Sequence, residues 1–120
     1  MLRLSHLERT ILVVENDPLI ARDIATGFEK RGACVSIANT LKAALISVEA
    51  EGLSAAVLDH ALPNSDSTQL CERLTERGIP FVTYSGHTRV DVVGRTGGLI
   101  EKPAPVSVLV ATVFGLLQVQ

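Results

Sequence analysis

Residues 10–28 read TILVVENDPLIARDIATGF, and the order of residue types in that stretch decides the architecture. Ile11, Leu12, Val13 and Val14 are an unbroken, mostly β-branched apolar run, the composition of a strand buried on both faces. Three polar residues, Glu15, Asn16 and Asp17, end it. Pro18 follows an aspartate, the pairing of a helix N-cap with proline at the first helical position. Ile20, Ile24 and Phe28 then recur at the spacing of one helix face. A doubly buried strand that turns at once into a helix is the first half of a βαβ unit. It argues for a parallel sheet with helices on both faces.

The rest of the chain repeats that alternation. Further strand-like runs lie at 34–38, 55–58, 79–84 and 98–100. Helical spacing is carried by Leu41, Leu45 and Val48, and by Leu70, Cys71 and Leu74. Gly32 and Gly78 stand where helix ends need a left-handed residue. Asn39 or Thr40 is placed to cap the second helix and Asp66 or Ser67 the third. Residues 89–95, RVDVVGR, offer a fourth helix of barely two turns, and Pro103 and Pro105 open a fifth. Five strands, five helices and short connections account for the whole length. The expected fold is a small, doubly wound α/β domain with a five-stranded parallel sheet. It spans residues 10–120 behind an N-terminal arm of residues 1–9.

Composition narrows the function. At 120 residues the chain is one domain, and 47% apolar with 20% charged excludes intrinsic disorder. Aromatics are 3% with no Trp, so the core must be aliphatic. The net charge of −2 and the lack of any Lys/Arg run give nucleic acid no electrostatic footprint. Cys34 and Cys71 have neither disulfide-scaffold nor metal-site spacing, and each reads as a small buried hydrophobe. The uncharged stretch 104–120, APVSVLVATVFGLLQVQ, has 17 residues, short of the ~20 needed to span a bilayer. The N-terminus lacks a signal-peptide run. A cytoplasmic location is expected, with neither nucleic acid nor membrane as partner.

In a doubly wound sheet, ligands sit at the carboxyl ends of the strands. Glu15, Asn16 and Asp17 follow the first strand, Asp59 ends the third, Ser85 and Gly86 the fourth, and Glu101-Lys102-Pro103 the fifth. Clustered carboxyl and amide oxygens suit a hard cation such as Mg²⁺. A hydroxyl and an ammonium opposite them suit a phosphoryl group. A carboxylate there can itself be the nucleophile, forming an acyl phosphate.

These residues carry a family resemblance over about residues 10–117. ILVVENDP (11–18) resembles the first strand and acidic pair of response-regulator receiver domains of two-component signalling. VLDHALPNSD (57–66) resembles their third strand and phosphoacceptor loop, SG (85–86) the hydroxyl-plus-small pair, and EKPA (101–104) the lysine-proline turn. The resemblance implies a flavodoxin-like sheet of order 2-1-3-4-5. It implies that Asp59 accepts a phosphoryl group from a histidine kinase or phosphotransfer protein. Mg²⁺ would be held by Glu15, Asn16, Asp59 and the backbone carbonyl of Ala61. Ser85 and Lys102 would bind the phosphoryl oxygens, and Gly86 would leave the site open. PFVTYSGH (80–87), with only 16 residues between Ser85 and Lys102, is similar to the alphaproteobacterial single-domain receivers with a short fourth helix, nicknamed FAT-GUY.

Three departures qualify what the resemblance implies. Asn16 stands where most members have a second metal-binding acid, which should weaken Mg²⁺. Leu99 stands where many carry a switch aromatic, so any switch here uses other parts. Ser67 replaces a frequent glycine and reads as a helix-start hydroxyl. His6 reads as solvated, His60 as pointing away from Asp59, and His87 as lying near the site's mouth; none has metal-site spacing.

In the last helix Val106, Leu109, Val110, Val113 and Leu117 form the core stripe. The other face carries Val108, Ala111, Thr112, Phe114 and Leu116, with no charge anywhere from 104 to 120. A homodimer or docked protein is therefore expected there, through Val108, Phe114 or Leu116. The expected role is a non-enzymatic phosphoacceptor acting by protein–protein contact. The alternative is a degenerate pseudo-receiver, a constitutive interaction module. An aspartyl-phosphate hydrolase would want an acid where Ala61 stands, and a flavin site would want a phosphate-cradling loop in place of Glu15-Asn16-Asp17.

Overall fold

The computed structural model describes residues 9–59, 68–85, 98–101 and 106–118. Its five strands are β1 (Thr10–Val14), β2 (Cys34–Ala38), β3 (Ala55–Asp59), β4 (Phe81–Ser85) and β5 (Gly98–Glu101). All pair in parallel, in the order β2-β1-β3-β4-β5. Four helices lie among the described residues: α1 (Pro18–Glu29), α2 (Leu41–Ser47), α3 (Thr68–Glu76) and α4 (Val106–Gln118). The short helix expected at 89–95 and the cap expected at Asp66 or Ser67 fall outside them.

The helix boundaries follow the local chemistry. Asp17 caps α1, its Oδ1 accepting from the backbone N–H of Leu19 at 2.9 Å and of Ile20 at 3.3 Å. Thr40, rather than Asn39, caps α2, its Oγ1 accepting from the N–H of Ala43 at 3.0 Å. Gly32 (φ 89°) and Gly78 (φ 70°) end α1 and α3 in the left-handed region that a Cβ disfavours.

Strand alternation sorts the core into two layers. Ile11, Val13, Val57 and Val82 face α1 and α4, meeting Ile24, Phe28, Leu109, Val110 and Val113. Leu12, Val14, Leu58 and Phe81 face the other way, toward Ala44, Val48, Leu70, Cys71 and Leu74 of α2 and α3 with their flanks. Gly27 sets how closely α1 and α4 approach: a Cβ there would lie 2.5 Å from Val106 Cγ1 and 3.1 Å from Val110 Cγ2. Outside the core, Arg73 on α3 forks onto Glu49 at 2.6 and 2.7 Å and also reaches Glu76 at 3.1 Å. That hydrogen bonding holds the Glu49 carboxyl below its ordinary range, but the cluster is solvent-exposed and adds little to stability.

One expectation is corrected. Cys71 is buried, but Cys34 is exposed. It opens the edge strand β2, where on that face only Ala38 is covered. Phe114 is half-buried and spoken for within the chain. Its ring centroid lies 6.0 Å from that of Phe28, and the Arg31 guanidinium sits over its ring at 4.4 Å. Leu116 also packs partly onto the core, which leaves Val108, 43% exposed, as the open member of the three.

Candidate functional site

The acidic end of the sheet is built by β1 and β3, which are neighbours. Val14 pairs with Leu58, so continuing the register one step sets Glu15 level with Asp59. Alternation sends both along the parity of Val13 and Val57, onto the α1/α4 face. Glu15 is 1% and Asp59 2% exposed. Strands in a sheet lie about 4.8 Å apart, so two carboxyl groups share one buried corner.

Several bonds fix the Glu15 side of that corner. Its N–H donates to Ala38 O at 3.0 Å, extending the β1–β2 ladder past the strand. Its carbonyl accepts from Asn39 Nδ2 at 3.0 Å, and its Oε2 accepts from the N–H of Asp17 at 3.1 Å. The positive end of the α1 dipole opens beside these groups. Asn16 is exposed at the rim. Asp17 has its Oδ1 engaged in capping α1.

On the other flank, Tyr84 pairs with Asp59 and Ser85 with Glu101. The backbone therefore carries Ser85 one residue beyond the level of Asp59, on the adjacent strand. Ala61, Gly86 and Lys102 lie outside the described residues. The sequence thus located Glu15, Asn16, Asp59 and Ser85 at one edge, and the structure brings their strands together there. It did not disclose Asn39 as the group that holds the Glu15 carbonyl; the signal was its place just after β2, read only as a cap.

The donor set fits a hard divalent cation. It is all oxygen, and two like-charged carboxyl groups buried side by side are costly unless positive charge shares their corner. Among the described residues no three His, Cys, Asp or Glu side chains form a metal-holding group. A cation here would rest on the two acids plus the amide, carbonyl and water oxygens that Mg²⁺ accepts.

A doubly wound parallel sheet with paired acids at its carboxyl edge and a hydroxyl-bearing strand beside them defines the receiver class of signalling domains. The response regulator receiver domain model matches residues 11–113, and the chain belongs to that family. It is therefore a domain of two-component systems, a family in which phosphorylation and Mg²⁺ binding are general. The transcriptional regulatory protein CutR of Streptomyces coelicolor is 32% identical over 117 residues, covering 88% of this chain and 52% of CutR. The chain spans about half the length of the curated relatives it matches. A CheY-like receiver from Methanospirillum hungatei superposes with TM-score 0.81 at 24% identity, covering 92% and 94% of the two chains. A receiver protein from Sinorhizobium medicae gives 0.85 at 20%, covering 92% and 95%. A response regulator from Burkholderia pseudomallei, crystallised with a phosphorylated aspartic acid, calcium ion and citrate, gives 0.77 at 24%, covering 93% and 71%. At these identities the likeness is one of fold.

Proposed function

We propose that this chain is a phosphoacceptor, with Asp59 taking a phosphoryl group from a histidine kinase or phosphotransfer protein. The observation that carries the reading is the Glu15–Asp59 pair, level on adjacent strands and buried on one face in a chain of this family. A carboxylate oxygen of Asp59 attacks phosphorus; the bond from phosphorus to the donor's imidazole nitrogen breaks, and an acyl phosphate forms. Bound Mg²⁺, held by Glu15, Asp59, Asn16 and the Ala61 carbonyl, would neutralise charge on the phosphoryl oxygens. Ser85 would hydrogen-bond those oxygens, Lys102 would pair with them, and Gly86 would leave access. The phosphorylated aspartate and divalent ion of the Burkholderia pseudomallei protein support that chemistry on this fold.

The donor protein would approach over the rim of the site, where Leu19, 79% exposed, and Ile20 open α1 directly after Asp17. A second copy would meet α4 at Val108. The finer kinship is with single-domain receivers of short fourth helix, supported by the 16 residues between Ser85 and Lys102. Output would be by protein contact, without catalysis of a further reaction.

The test is an intact-mass spectrum after incubation with acetyl phosphate and Mg²⁺, with Asp59→Asn alongside. One added phosphoryl group on the parent and none on the variant is the expected result; an adduct on both moves the nucleophile elsewhere. No adduct on either favours a second reading, a pseudo-receiver acting as a constitutive interaction module. Asn16 supports that reading, since an amide stands there where most members of the family carry a second metal-binding acid.

A further inference from the structure

β2 is an edge of the sheet, and it lacks the devices by which edge strands avoid pairing with one another. From Gly32 to Leu41 the chain has no charged residue and no proline, and the register with β1 runs from Cys34 to Ala38 without a bulge. Two bonds fix how its backbone faces. Cys34 N–H donates to Arg9 O at 2.7 Å, and Ala38 O accepts from Glu15 N–H at 3.0 Å. Cys34, Ser36 and Ala38 therefore turn their backbone polar groups toward β1, and alternation turns those of Val35 and Ile37 to the open edge. Among the described residues no strand stands beside them there. That set of groups is self-complementary. An identical strand laid antiparallel, with Ser36 opposite Ser36, pairs Val35 with Ile37 twice and satisfies every one of them.

The helices beside β2 fit the same two-fold. On one face α1 lies over β1 and β2, and α4 over β3 and β4. Gly27 and Arg31 turn one flank of α1 toward α4. At 3.6 residues per turn the opposite flank, which overhangs β2, carries Arg22 and Glu29. Both are exposed, and their contact within the chain is a long 3.5 Å. Neighbouring strands lie about 4.8 Å apart, so α1 of a second copy would run antiparallel about 10 Å away, the spacing of packed helices. Arg22 then meets Glu29 of the second copy, and Glu29 meets its Arg22, so the facing charges attract. On the other face α2 lies over the same two strands. Its Ser47 lines one recess with Ser36 and Ala50, small groups that let two copies come close.

We propose that β2 is a self-association edge, through which two copies of this chain join antiparallel about a two-fold axis at Ser36. The carboxyl edges of the two sheets then point in opposite directions, which leaves both acidic corners open. The strand supplies five residues a side, where stable interfaces use about 20–30, so the contact is weak and forms at high protein concentration. It is separate from α4, which lies on the far flank of α1.

The test is disulfide trapping. Ser36 and Cys34 are both exposed on one side of β2, but the two-fold brings Ser36 to its own copy and sets Cys34 opposite Ala38. Cys34→Ser/Ser36→Cys and the parent are oxidised mildly at high concentration, with rates scaled to the iodoacetamide reactivity of each thiol. The Ser36→Cys chain is expected to link at least about tenfold faster than the parent, since directly opposite strand residues lie within disulfide reach. Adding Arg22→Glu is expected to slow the link about tenfold, because like charges brought together at an interface repel, and adding Glu29→Arg as well restores it. Equal rates for the two thiols overturn the proposal, because the links are then random collisions. A rate indifferent to Arg22→Glu, or not restored by the double reversal, overturns it too, because α1 then does not face its copy.

Discussion

Asn16 follows Glu15 at the end of β1 and is exposed, so an acid placed there adds charge at the rim without disturbing the core. A unit negative charge about 4 Å from a divalent cation gains roughly 2 kcal/mol in a water-like environment. Asn16→Asp should therefore tighten Mg²⁺ about 30-fold, with stability kept within about 0.5 kcal/mol. Calorimetric titration checks this; an unchanged Kd shows that Asn16 is not a ligand. The acids were legible because each stands directly at the end of an apolar run, where strand alternation also fixes its side. Asn39 was not, because its bond to the Glu15 carbonyl spans 24 residues and two strands. Nor was the buried, unpaired hydroxyl of Thr83 in β4, because a threonine in a strand reads as an ordinary β-branched residue.

Between elements, the contact of α1 with α4 turns on small residues with opposite roles. Gly27 is filled against Val106 and Val110, whereas a Cβ on Gly115 would meet nothing within 4 Å. Alanine in place of either glycine gains about 1 kcal/mol of helix propensity. At Gly27 that gain is opposed by overpacking of about 1–3 kcal/mol, since Val106 is β-branched and stiff in a helix. Gly27→Ala should accordingly lower the midpoint of chemical unfolding by about 1 kcal/mol equivalent, and Gly115→Ala should raise it by about 0.5–1 kcal/mol. Urea unfolding with an unchanged m-value decides both, and equal effects would mean that Gly27 sets no helix spacing. The caps of α1 and α2 were readable because a cap is a local hydrogen bond. The side taken by Phe114 was not, because α4 is apolar all round and its pattern points in no single direction. The Phe28 ring and the Arg31 guanidinium, both from α1, decide it.

For the molecule as a whole, strict alternation of strand and helix was enough to require a parallel sheet covered on both faces. The position of β1 inside the sheet came only with the family resemblance, since alternation alone permits several strand orders. What alternation cannot supply is the contact that a signalling domain makes outside itself. The described surface of α4 carries no charge, and its open apolar side chain is Val108, level with the solvent face of the helix. If a second copy meets that face, Val108→Glu should convert a dimer to a monomer in sedimentation velocity while leaving Tm within about 2–4 °C of the parent, because an exposed site changes stability little. Phosphoryl uptake at Asp59 should persist in the variant, since Val108 belongs to no part of the acidic corner. Phe114→Glu would be the wrong probe: it buries a carboxylate against Phe28 and removes the platform under Arg31, so its first effect would be on folding. Identical sedimentation of the parent and Val108→Glu would remove α4 as a self-association surface. Among the described residues, Leu19 and Ile20 beside the acidic corner and Ile46 on α2 would then be the exposed large apolar side chains left to recruit a partner.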